Sequence, residues 1–375
     1  MLNEFGIYAD SHYKMTAILD AMISQTALGG GSDLHLKPNA MPRVRINGRL
    51  VPFRSGVPIT ADQMYELARS AMDEKVWQDF LRIKEVDFAY LTDTKLRVRA
   101  NVFMQRGMVS MVMRLISTDP PNFEDLHLPS VLATLAENQR GLVLVTGPTG
   151  SGKTSTLAAM VDHVNRSRPC HIVTIEDPIE VMHEDKLAIV NQREIGFDTG
   201  SFASAMRAAM RQDPDVILVG EMRDLETVTA ALQAAETGHL VLSTLHTIDA
   251  VETITRIVDF FPPHQQQQVR ISLAGVIRGV VCQRLIPTPD GKGRVPAVEV
   301  MVANGRVQQC IVEYGRTSDL NQIIAEGEFY GMTTFDQSLE RLFSEGLISV
   351  DDALESATSA HDLRLSLTRK GLVNS

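Results

Sequence analysis

Gly147, Gly150, Gly152, Lys153 and Thr154 follow directly on the apolar run Leu142 to Val145. Their spacing, G-x-x-x-x-G-K-[ST], between a strand and a helix is one that binds nucleotide phosphates. Glycine lets a backbone fold tightly enough for successive N–H groups to converge on an anion, and a helix opening at Thr154 adds the partial positive charge of its N-terminus at the same place. Pro148, Thr149, Ser151 and Ser155 complete the stretch 147–155 that would wrap the phosphates. Lys153 would reach the β- and γ-phosphates, and the Thr154 hydroxyl would ligate Mg2+. The implied chemistry is the binding of nucleotide phosphates together with Mg2+.

Three further clusters fall where strands are expected to end. Glu176, Asp177 and Glu180 follow the strand residues His171 to Ile175. A carboxylate there could orient, or take a proton from, a water attacking the γ-phosphate, although acidic residues after a strand also serve simply to solvate a loop. Glu221 ends the apolar run Val216 to Gly220, the place of a carboxylate that holds Mg2+ through water or holds the attacking water itself. His239 and His246 bracket the strand Leu240 to Thr244. They read equally as phosphate-polarising groups or as satisfied structural histidines.

The elements that would carry these residues alternate. After the phosphate loop and its helix, Ser155 to Asn165, the strands His171 to Glu176, Ala188 to Gln192, Val216 to Gly220 and His239 to Thr244 are interleaved with helices Ser201 to Arg211 and Leu225 to Glu236. Such alternation predicts a mostly parallel sheet covered by helices, collecting ligands at the carboxyl ends of its strands. Residues 269–285 keep a helical apolar period, and 335–347 and 350–357 read as small helices.

The part before this is patterned differently. An amphipathic stretch, Met15 to Ser24, stops at Gly29, Gly30 and Gly31; alternating strands follow, with Asn47 and Gly48 a hairpin signal. Ile59 to Phe80 reads as a helix capped by Thr60 or Asp62, and strands follow over 86–90, 96–105 and 108–115, with Arg106 and Gly107 a turn. This predicts an α+β domain over 1–116, a linker rich in Pro, Asp and Asn over 117–128, an ATPase core over 129–290 and a mainly helical region over 291–375. In the first domain Arg97, Arg99, Arg106 and Arg114 stand out, Arg97 and Arg99 sharing a strand face. An isolated pair of this kind is ordinary solvated sheet surface. Beside a phosphate site, arginines can also stabilise a transferring phosphoryl group, even from a neighbouring subunit.

Composition bounds the classes. The chain has 375 residues, with 44% hydrophobic and 22% charged, which is ordinary for a globular protein of two or three domains. A formal charge of −10 gives no global basic field and argues against a nucleic-acid partner. There is no basic segment with an apolar core at the start and no membrane-length apolar run, so the expected location is cytoplasmic without direct membrane insertion. Cys170, Cys282 and Cys310 lack C-x-x-C spacing and read as buried thiols.

Together these residues resemble the PilT family of secretion-superfamily ATPases, motors that retract type IV pili. The resemblance runs from Ser32–Leu36 to Gly331–Asp336; 174–180 is similar to the family's Asp box, 213–224 to its Walker B segment and 237–247 to its His box. It implies that Glu180 is the general base, Glu221 the Walker B carboxylate, and Arg97, Arg99 and Arg114 arginines acting across a subunit boundary. It further implies a homohexameric ring of PAS-like N-terminal and RecA-like C-terminal domains. The ring would sit at the inner face of the cytoplasmic membrane on an inner-membrane platform protein, with other pilus motor ATPases as further partners. The family's retraction-linked C-terminal motif falls on 306–313, where only Ile311 and Glu313 match. The direction of work is therefore open between retraction and an accessory, assembly or type II/IVB secretion role.

Overall fold

The structure, a computed structural model, describes residues 3–46, 48–53 and 57–373. The chain divides into two compact units, Met1–Thr118 and Asp119–Ser375. In the first, α1 (Asn3–Leu28) extends beyond the expected amphipathic stretch in both directions. Leu19, Ile23 and Thr26 are buried at one-turn spacing. The helix stops where Gly29, Gly30 and Gly31 donate back to the carbonyls of Gln25, Ala27 and Thr26. A Cβ on Gly31 would stand 2.4 Å from Val44 Cγ1, so the exit needs glycine.

Six strands follow in one antiparallel sheet: β1 (Asp33–Leu36), β2 (Arg43–Ile46), β3 (Arg49–Pro52) and, after two helices, β4 (Glu85–Leu91), β5 (Arg97–Gln105) and β6 (Met108–Leu115). Their order is β3-β2-β1-β6-β5-β4. Ile46 faces Arg49 across the first hairpin; Asn47, placed in that turn from sequence, lies outside the described residues. Arg106 (φ 49°) and Gly107 (φ 77°) make the last turn, both left-handed as a tight two-residue hairpin requires. One face is dry, with Leu34, Val44, Val98, Ala100, Met111 and Met113 in the core.

The single helix expected over 59–80 is two, α2 (Ala61–Ala71) and α3 (Glu74–Ile83). Thr60 caps α2 in a reciprocal box with Gln63, while Asp73 accepts from Val76 N and starts α3 afresh, with Met72 extended between them. A periodicity reading passes through Asp73 because its role as a cap depends on the backbone conformation there and not on its polarity.

The second unit opens with α4 (Val131–Ala136) and builds a seven-stranded sheet: β7 (Gly141–Thr146), β8 (His171–Glu176), β9 (Ile189–Glu194), β10 (Val216–Val219), β11 (Leu240–Leu245), β12 (Ile277–Pro287) and β13 (Arg294–Val302). Between them lie α5 (Lys153–Ser167), α6 (Phe202–Ala209), α7 (Leu225–Glu236), α8 (Ala250–Asp259) and α9 (Pro263–Val276). The order is β13-β12-β7-β11-β10-β8-β9, all neighbours parallel except the terminal β13. All six residues of β7 are buried. Leu142 and Leu144 enter the layer that contains α6 to α9, while Val143 and Val145 enter the layer against α4 and α5. Burial on both faces explains why the parallel strands read as unbroken apolar runs.

That same property corrects two expectations. Residues 277–285, read as helix, are strand: α9 ends at Val276 and β12 is buried along most of its length, so its apolar residues carry no period of two. Consequently the stretch after 290 is not simply helical, because β13 pairs with β12 from Gly279↔Val302 to Pro287↔Arg294 inside the core sheet. Beyond it come α10 (Gly305–Val312), α11 (Leu320–Ala325), α12 (Phe335–Ser344), α13 (Val350–Ser356) and α14 (Ala360–Arg369). In the stretch expected as linker, Leu128 is buried and Phe123 and Leu126 pack against the second unit's core. No described helix is long and apolar enough to cross a membrane.

Asp73 supplies a direct check on the split helix. Asp73→Ala should destabilise the first unit by about 1 kcal/mol, read as a lowered denaturation midpoint, whereas a continuous helix would gain from alanine there.

Candidate active site

Parallel pairing places Thr146 beside Leu245 and Cys282, and Val219 beside Ile175 and Ser243, so the chain leaves four neighbouring strands at one edge of the sheet. From β7 it enters the glycine loop. Gly147 (φ 142°), Gly150 (φ 80°) and Gly152 (φ 90°) all take left-handed or mirror-extended backbone, and Gly152 is the N-cap of α5. Lys153 is buried, and its Nζ donates to the carbonyls of Gly147 (2.8 Å) and Pro148 (3.0 Å). Burial lowers its pKa and the Glu221 carboxylate opposes that shift. Loop N–H groups, a helix start and an ammonium therefore meet at one spot, which is the composition of a phosphate cradle.

A cavity of about 240 Å3 adjoins the loop, lined among others by Thr149, Lys153, Thr154, Glu180, Glu221 and His246. Glu221 follows β10. Its carboxylate meets Arg223 Nη2 at 2.8 Å and His246 Nε2 at 3.0 Å. The strand ends that hold it are stitched by hydroxyls, Ser243 Oγ donating to Val219 O and Thr244 Oγ1 to Gly220 O, each at 2.7 Å. A Cβ on Gly220 would sit 3.3 Å from Ile175 O, so the approach of β8 also favours glycine before the carboxylate. Glu180 is exposed to the cavity, whereas Glu176 lies deeper and accepts from Thr174 Oγ1 (2.6 Å) and Gln192 Nε2 (3.2 Å). Burial raises the Glu176 carboxyl, those hydrogen bonds pull it down, and the Glu180 charge raises it further.

Thr154 and Glu221 offer a hydroxyl and a carboxylate, the hard oxygen donors that Mg2+ takes in small number alongside substrate phosphates. Among the described residues no group of three or more His, Cys, Asp or Glu could hold a metal by itself.

The histidines separate. His246 stands at the carboxyl end of β11 in the cavity, but His239 precedes the strand at its amino end, roughly 20 Å away along six residues. There His239 Nδ1 lies 2.9 Å from Ala234 O at the end of α7, so within one chain His239 does not join the phosphate loop. Arg97, Arg99 and Arg114 belong to the first unit. Arg114 pairs in register with Arg99 and with Asp33, which pairs with Arg45, so these side chains form a row across one sheet face. Asp33 lies between two of them, 2.8 Å from Arg114 and 3.8 Å from Arg45, and Arg99 is 3.8 Å from Asp87.

Gln283 joins the site without a sequence motif to mark it. It is buried on β12 and bonds both the loop and α5, donating to Ser151 O (2.7 Å) and accepting from Thr156 Oγ1 (2.8 Å). A lone glutamine in an apolar run was the only available signal. Glu299 on β13 likewise has no motif around it; it accepts from Ala250 N at 2.9 Å and so ties down the start of α8, just after the loop that carries His246.

Residues 9–334 match the family described as type II/IV secretion system protein. The chain belongs to that family. It is 43% identical over 336 residues to the type IV pilus retractation ATPase PilT of Pseudomonas aeruginosa, covering 90% of this chain and 97% of that protein. It is 41% identical over 338 residues to the type IV pilus ATPase PilU of the same organism, covering 90% and 88%. A crystal structure of the pilus retraction motor PilT with bound ADP superposes with a TM-score of 0.83 at 45% identity, covering 93% of this chain and 98% of that one. The mixed α/β architecture is therefore that of this family of ATPases.

Glu299 makes the site region sensitive to pH. Burial pushes its carboxyl up from 4.5 to about 7; Asp249 adds to this, while the Ala250 N–H, Arg284 and Cys282 oppose it. A folded-state pKa above the unfolded value means the native state holds the proton longer, so the contribution is fully present below about 4.5 and is lost as pH rises through about 7. The Glu299 contribution should fall by on the order of 1–3 kcal/mol between about pH 5 and pH 7.5, read as a wild-type advantage over Glu299→Gln in denaturation midpoints that shrinks across that range.

Proposed function

We propose that the chain is a Mg2+-dependent ATP hydrolase working as a homohexameric motor that withdraws type IV pili. In this reading it acts from the cytoplasmic side on an inner-membrane platform protein. The observation that carries the reading is the convergence of Lys153, Thr154, Glu180, Glu221 and His246 on one cavity beside the glycine loop. The relatives support the pilus-retraction part of the reading, being named type IV pilus ATPases along nearly the whole chain.

The chain's own groups divide the work. Loop N–H groups and the α5 N-terminus bind the phosphates, and Lys153 exchanges the Gly147 and Pro148 carbonyls for phosphate oxygens. Mg2+ bound there would neutralise the developing phosphoryl charge, with Thr154 as ligand and Glu221 holding a water. Glu180 takes the proton of the attacking water. Glu221, itself steadied by Arg223 and His246, keeps that water in line. Arg97, Arg99 and Arg114 of a neighbouring subunit would bring positive charge to the transition state.

A second reading, an accessory motor paralogue, is favoured by two observations. Similarity to PilU is about that to PilT, and 306–313 keeps only Ile311 and Glu313 of the retraction-linked motif. Cells lacking the protein distinguish the two. A retraction motor leaves more surface pili and no twitching, an accessory paralogue leaves the count unchanged, and fewer pili would overturn both in favour of assembly. For the chemistry, Glu180→Gln should cut ATP turnover by about 10²–10⁴-fold with nucleotide binding retained; undiminished turnover removes Glu180 as the base.

A further inference from the structure

We propose that Gln283 is the positioning residue that aims the phosphate-binding loop, pinning one of its peptides so that the N–H faces the nucleotide. The proposal rests on the glycine loop being the nucleotide site. β12 runs beside β7 with Cys282 opposite Thr146, which brings the next residue, Gln283, behind the loop that starts at Gly147. Its side chain is 2% exposed and both ends of its amide are used. The Ser151 carbonyl can only accept, so the NH2 end must face it, and the Oε1 end takes the Thr156 hydroxyl. The two bonds hold the amide in a single orientation.

The consequence lies in the Ser151–Gly152 peptide. In a trans peptide the C=O and the N–H point in opposite directions. Fixing Ser151 O on Gln283 therefore turns the Gly152 N–H away from Gln283, toward the concave side of the loop. Without the pin, this peptide could flip and present its carbonyl oxygen to a phosphate, replacing attraction with repulsion.

All three loop glycines take positive φ, and at two of them residue 283 adds a steric reason for glycine. A Cβ on Gly147 would come 2.3 Å from Gln283 O, and a Cβ on Gly152 would come 2.7 Å from Gln283 Nε2. Gly150, away from Gln283, would meet nothing within 4 Å. The loop thus approaches residue 283 closely twice, at Gly147 against its main-chain carbonyl and at Gly152 against its side-chain amide.

The test is the affinity of purified full-length protein for fluorescent ADP, measured with the melting midpoint in the absence of nucleotide. Gln283→Met keeps the length and removes both bonds; Thr156→Val removes one bond but leaves the Ser151 pin. Losing one aimed N–H to a charged phosphate predicts about 10- to 100-fold weaker ADP binding for Gln283→Met. Thr156→Val should stay within about threefold of wild type on the same scale. Equal affinity of Gln283→Met and wild type, with only a lowered melting midpoint, would make Gln283 merely structural and overturn the proposal. So would equal weakening by both variants. Should Gln283→Met not fold, Gln283→Glu, which keeps the acceptor for Thr156 and sets a carboxylate against Ser151 O, must show the same weakening. Lys153→Ala is the control: if it binds ADP as wild type does, the loop is not the nucleotide site and that reading fails on its own.

Discussion

Parallel strands all end in the same sense, and in this chain that constraint creates the site. β7, β8, β10 and β11 are paired so that the residues following Thr146, Glu176, Val219 and Leu245 emerge side by side. Side chains up to a hundred residues apart in sequence need no further device to meet there. The strands are buried on both faces, so each is packed between two apolar layers. The candidate site residues thus follow directly on strands of the buried sheet.

Lys153 and Glu221 have polar partners within the chain before any substrate arrives. Lys153 faces the carbonyls of Gly147 and Pro148, and Glu221 is bracketed by Arg223 and His246. These partners keep a buried cation and a half-buried anion from standing unpaired, which would be costly in a low-dielectric pocket. They are also the contacts that phosphate and metal-bound water would replace, so binding exchanges one set of charge interactions for another.

Positions that depend on local rules were legible in the sequence. The glycine loop declared itself because positive-φ positions and an apolar strand leave a recognisable spacing, and Glu221 because it ends an apolar run. Features set by contacts at long range were not. Gln283, Ser243 and Thr244 act through hydrogen bonds to backbone groups of other segments, and nothing in their own neighbourhoods marks that. β12 reads as helix in sequence because a doubly buried strand has no alternation, and Asp73 reads as helix interior because a cap is a matter of backbone conformation. The histidines were grouped by spacing, yet seven residues span a whole strand, so His239 and His246 stand at opposite ends of β11.

The most direct measurement is steady-state ATP hydrolysis by the purified chain with Mg2+ and with the metal chelated, alongside Lys153→Ala. A site built as described hydrolyses ATP only with Mg2+ and loses turnover in the variant. Metal-independent turnover, or turnover undiminished by Lys153→Ala, would mean that the cavity beside the glycine loop is not where ATP is cleaved.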